Sequence, residues 1–227
     1  MTPTPVSSTT IAMLLADARL PAGAHVSSNG LEPALLDGLA PNEVPLYLRA
    51  RMGSIVIVEA ATAVVASRGI QENGGEDWLR RVEAEWAART PSPALREVTR
   101  ALGAGLARLA SRVWPQDALL ADLARRPLAR PVVLGAVARV AGLADDDLAR
   151  LVAYDDAQTV AAALLKLEPL DPAIPVSWVL DACATFEDHV TMIAALTTPE
   201  AIPAFGAPQI EEWAQRHSRL TRRLFRA

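Results

Sequence analysis

Between Val44 and Arg68, the side chains Leu48, Met52, Ile55, Thr62 and Val65 recur at spacings of four, three, seven and three residues. That period draws one stripe along a helix, whereas a half-buried strand alternates at every second residue. A stripe of this length needs apolar partners of the same kind, and the rest of the chain supplies them. Glu76–Ala88 carries Trp78, Val82 and Trp86 at four-residue spacing. Hydrophobic residues make up 51% of the chain but aromatics only 4%, which favours close-packed Ala/Leu helices over sheets. No stretch alternates as a strand would. The spacing predicts an all-α, single-domain helical bundle.

Prolines, glycines and capping residues divide it. Residues 1–9 are mostly Thr, Pro and Ser and predict a flexible N-terminal arm, with the helical domain over 10–196. A short helix is expected over Ile11–Arg19 and one unbroken helix over Val44–Arg68. Ser92 is placed to cap, with Pro93 at the first helical position of a helix running to about Trp114. Gly135 inside a helix costs about 1 kcal/mol against alanine, which predicts a close helix–helix approach there. Asp145 is expected to cap a helix over Asp147–Leu167, followed by another over Pro175–Leu196. Pro199, Pro203, Gly206 and Pro208 mark 197–208 as a Pro-rich linker, and 209–227 as a C-terminal amphipathic helix, Gln209–Phe225.

Several classes of function are excluded. The formal net charge of −4 gives nucleic acid no electrostatic footing. The single cysteine, Cys183, rules out an internal disulfide framework. There is no basic segment followed by an apolar run at the N-terminus, and no apolar stretch reaches the ~18 residues of a membrane span. A cytoplasmic protein with no membrane partner is expected. His25, His189 and His217 lie on three separate segments without metal-site spacing, and no phosphate-binding loop carries a lysine. No catalytic set, metal cage or cofactor is therefore expected. Glu59 reads as a stripe-edge side chain reaching water or an arginine, and Asp155 with Asp156 as a solvated helix edge.

The most particular stretch is Arg19-Leu-Pro-Ala-Gly-Ala-His-Val-Ser-Ser-Asn-Gly-Leu-Glu32. Pro21 fixes its own backbone and Gly30 frees it, so the chain leaves one helix, turns and enters another. Asn29 and Glu32 have capping-box spacing, but Pro33 fits better at the first helical position. Leu20, Pro21, Gly23, Ser28, Gly30, Leu31 and Glu32 fall at the spacing of the motif of the urease accessory protein UreF family, which this chain resembles. Ala24 and Ser27 depart from that motif. Three further stretches resemble the family in order: Leu95–Leu109, Arg130–Leu143 and Ala161–Leu170. In the last, Asp171-Pro172 replaces the family's Gly-Gln. The C-terminal end Arg223-Leu-Phe-Arg-Ala227 also matches, while Ser218 stands after His217 where the family has Glu.

The C-terminal segment is informative without the resemblance. Trp213, His217, Leu220 and Leu224 make one stripe, and Arg216, Arg219, Arg223 and Arg226 a basic one beside it. Such a helix needs a surface for its apolar face. What the resemblance implies is an all-α, commonly dimeric, non-enzymatic chaperone. It would bridge UreD (UreH) and the GTPase UreG on the urease apoprotein while nickel is inserted. It assigns partner contact to the motif loop (Leu20, Pro21, Gly23, His25, Ser28, Gly30, Leu31, Glu32). GTPase communication falls to Lys166, and docking to Trp213, His217, Arg219, Leu220, Arg223, Leu224 and Phe225. The residues alone leave two other readings, a helical adaptor unconnected with urease and a helical enzyme with a small-molecule cavity.

Overall fold

The computed structural model describes residues 6–17, 19–21, 27–70, 75–219 and 224–225. Among them are eleven α-helices and no strand. In order, they are α1 (Ser8–Ala16), α2 (Leu31–Leu36), α3 (Val44–Met52), α4 (Ile55–Gly69), α5 (Glu76–Ala88) and α6 (Pro93–Val113). Then come α7 (Ala118–Leu123), α8 (Arg130–Ala141), α9 (Asp145–Leu167), α10 (Ala173–Ala194) and α11 (Pro208–His217). The fold is all-α, as the periodicity predicts.

Helix α4 is the axis of the bundle. It is enclosed by α5, α8, α9 and α10, and nearly all its side chains are buried. Its run of Ala and Val lets neighbours come close, and Gly135 on α8 completes the contact. A Cβ on Gly135 would lie 2.2 Å from the Ala63 carbonyl oxygen, inside any permitted contact. The cost of a mid-helix glycine is thus offset by backbone-to-backbone packing. Trp78 on α5 covers the end of α4 and donates its indole N–H to the Val65 carbonyl at 2.9 Å.

The long stripe proves to be two helices. The chain breaks at Gly53 and Ser54, the latter at φ −141° and ψ −96°, and α3 meets α4 at a 40° bend. Apolar spacing continues across the break because it records which residues are buried and not the backbone path. No single helix among the described residues is long and apolar enough to cross a membrane. α5 spans the predicted Glu76–Ala88, and Ser92 caps α6 with Pro93 at its first position.

Other boundaries move for local reasons. The Ser7 hydroxyl accepts the Thr10 N–H at 3.2 Å, so α1 starts at Ser8 and takes in Thr9, which reads as part of the arm. It ends at Ala16, where extended Asp17 receives the Arg19 N–H, so Arg19 lies outside it. Asp145 begins α9 itself and binds Arg68 at 2.5 Å instead of capping. α10 begins at Ala173 and ends at Ala194. The segment before α11 forms a short 3₁₀ turn, Pro199–Ala201, and buries Ile202. α11 stops at His217, and Leu224 and Phe225 are not helical, so Gln209–Phe225 is not one continuous helix.

Candidate functional site

The motif turns through two consecutive left-handed residues, Asn29 at φ 50° and Gly30 at φ 82°. Asparagine tolerates that conformation and glycine adopts it freely. Gly30 is the N-cap of α2, so Leu31 and Glu32 precede Pro33, which sits third and not first in the helix. Its missing N–H falls among the donors that have no intrahelical partner anyway. The capping group is the Ser28 hydroxyl, which accepts the Glu32 N–H at 3.3 Å, and not Asn29.

Asn29 instead reaches across the fold. Its amide donates to an Asp156 carboxylate oxygen at 2.8 Å, and its carbonyl accepts from Tyr47 at 2.5 Å and Arg51 at 2.9 Å. Arg51 on α3 grips Asp156 on α9 through two N–H groups, at 2.9 and 2.6 Å. Both side chains are buried, at 6% and 7% exposure. Asp155 pairs with Arg130 at 2.7 Å, also largely buried, and burial raises its pKa while Arg130 opposes the rise. The two aspartates therefore are not a solvated edge. They are the inner halves of two ion pairs that tie α9 to α3 and to α8.

Glu32, at the end of the motif, is buried at 6% exposure and holds the C-terminus. Its carboxylate accepts the backbone N–H of Leu224 at 2.6 Å and of Phe225 at 2.9 Å, and lies 3.0 Å from His217 Nε2. The Lys166 Nζ at the end of α9 stands 5.2 Å from the centre of the Phe225 ring. On the α2 side, Trp213 donates to Asp37 at 2.7 Å and Arg216 pairs with the same carboxylate at 2.8 Å. Three stretches far apart in sequence thus meet: the motif, the end of α9 and the C-terminal segment.

Their side chains divide by exposure. Ser28, Leu31, Glu32, His217 and Phe225 are buried and shape the junction from within. Leu224 is 63% exposed, which departs from its place in the expected apolar stripe. Lys166, Arg219 and Pro21 are exposed, and Leu20 and Trp213 are half-buried. Gly23, His25, Leu220 and Arg223 lie outside the described residues.

Behind the motif a cavity of about 100 Å³ opens between α3, α4, α6, α9 and α11. Of the sequence-predicted site residues it takes in Gly30 and His217; most of its other residues come from helices distant in the chain and were not assigned to a site. Arg51, Arg130, Asp155 and Asp156 line one end, and apolar side chains of α4 and α6 the other. Glu59 points into it. The side chain is half-buried, and desolvation, followed by Asp156, raises its carboxyl to about 7 while Arg51 and Arg130 oppose the rise. Among the described residues, no group of three or more His, Cys, Asp or Glu side chains could hold a metal ion.

These features define a class: an all-α protein whose buried polar groups join distant segments of its own chain. A family model described as UreF matches residues 29–175. The chain is 36% identical over 224 residues to the urease accessory protein UreF of Mycobacterium marinum, covering 96% of this chain and 99% of that one. It is 39% identical over 220 residues to the protein of that name from Mycobacterium sp. strain JLS, covering 95% and 97%. For that of Mycobacterium bovis the identity is 33% over 227 residues, covering 97% and 99%. The chain belongs to the UreF family of urease accessory proteins.

Proposed function

We propose that this protein is a non-catalytic chaperone of urease maturation. It bridges UreD and the GTPase UreG on the urease apoprotein in the cytoplasm, as a homodimer, while nickel enters the active site, and it modulates the GTPase. The observation that carries the reading is the junction at Glu32. One buried carboxylate ties the family motif to the C-terminal segment, and Phe225 of that segment lies against Lys166. A partner seated on Leu224, Arg219 and Lys166 would sense the order of all three stretches at once. Binding would then bias the junction between docked and released states, which is how a protein without chemistry of its own can act on a GTPase. The exposed Arg219 and Lys166 suit an acidic partner surface and would speed encounter more than they hold the complex.

The test is affinity capture of the tagged protein from cells expressing the urease operon. UreD and UreG should be retained, and urease should remain inactive in cells lacking this protein. Capture of neither partner, with normal urease activation in its absence, would refute the proposal.

A further inference from the structure

Glu59 is the charged group in the cavity that the described residues leave unanswered. Each other charged group facing the cavity has a partner. Arg51 is engaged by Asp156 and Arg130 by Asp155. On the far side Arg89 bonds Glu85 and the Ile202 carbonyl, Glu211 accepts the Ser92 N–H, and His217 is held by Glu32. Among the described residues, Glu59 has neither a hydrogen bond nor an ion pair. Three carboxylates (Glu59, Asp155, Asp156) face two guanidinium groups (Arg51, Arg130) at this end, so ionised Glu59 leaves one negative charge in excess.

An apolar wall runs from this end, made of Ile55 and Val58 on α4, Leu95, Val98 and Leu102 on α6, and Phe205, with the Thr99 and Thr159 hydroxyls among them. A carboxylate beside such an apolar wall matches a cation on an apolar stem. A hydrated metal ion or an anion would find no such match. We propose that this cavity binds an alkylammonium group, its ammonium on Glu59 and its stem along α6. The group could belong to a free primary amine or to a lysine side chain inserted by a partner. The proposal is independent of urease and its accessory proteins.

The surroundings of the half-buried Glu59 support it: desolvation, followed by Asp156, lets the carboxyl hold its proton up to about pH 7. An ammonium ion binds the ionised form, so affinity should climb as Glu59 loses its proton and level off above neutrality. Between pH 6 and pH 8 the ionised fraction rises about tenfold, and affinity should rise by the same factor.

The experiment is calorimetric titration of the intact protein with n-butylammonium chloride at both pH values, with n-butanol as the neutral control. Binding about tenfold tighter at pH 8, lost in Glu59→Gln, supports the proposal. Circular dichroism and thermal melting establish that the variant is folded, and the wild type at pH 5 serves as a second uncharged state. A blocked Gly-Lys-Gly peptide separates the sources. Binding of the peptide as well as the amine marks an inserted lysine, and binding of the amine alone a small molecule. If n-butylammonium binds no better than n-butanol, or binds Glu59→Gln equally, or shows no dependence on pH, the proposal is overturned.

Discussion

Glu32 and Glu59 are two carboxylates in the same helical body with opposite surroundings. Glu32 meets two backbone N–H groups and a histidine, and thereby fixes the C-terminal segment. Glu59 meets apolar walls and guanidinium groups already claimed by Asp155 and Asp156, and burial holds its carboxyl up at about 7. Burial alone therefore does not decide what a charged side chain does here. The donors aimed at it decide. A saturated carboxylate becomes structure, and an unsaturated one keeps its capacity to respond to protons and ligands.

The comparison can be broken at its saturated side first. Arg51→Met leaves Asp156 buried without its partner and removes a donor from the Asn29 carbonyl. It should cost about 3–5 kcal/mol in denaturant unfolding. Glu32→Ala orphans the Leu224 and Phe225 N–H groups and should cost about 3 kcal/mol. Capture of UreD should fall with it if the junction is the docking surface. Gly30→Val forces a β-branched residue to φ 82° with its Cβ 3.0 Å from the Tyr47 hydroxyl, and should cost about 2 kcal/mol in the same assay.

Glu59→Gln sharpens the comparison by its sign. The folded protein retains the Glu59 proton up to about 7, whereas an ordinary glutamate releases its proton at 4.5. Protons bound by the folded state and not by the unfolded one mean stability lost as pH rises between those values. The amide carries no charge to bury. The variant should therefore match the wild type at pH 4 and exceed it by about 1–2 kcal/mol at pH 8, read from urea melts.

The helical class, the limits of α5, the Ser92 cap and the close approach at Gly135 were legible because each depends on residues near one another in sequence. The motif was legible as a turn for the same reason. Its purpose was not, because Glu32 acts on Leu224 and Phe225, and Arg51 on Asp156, from the other side of the chain. Asp155 and Asp156 look like a polar helix edge until α3 and α8 bring arginines to them. Glu59 interrupts an apolar run in either reading, and only the positions of α6 and α9 turn that interruption into the end of a cavity. The break at Gly53–Ser54 was hidden because both halves of the stripe face the same core.

The central claim is that the Glu32 carboxylate couples the motif to the C-terminal segment. Amide hydrogen exchange at Leu224 and Phe225, compared between wild type and Glu32→Ala, tests it most directly. The account predicts slow exchange in the wild type and exchange at least about tenfold faster in the variant, with the core amides of α4 still protected. Unchanged exchange at both amides would contradict it.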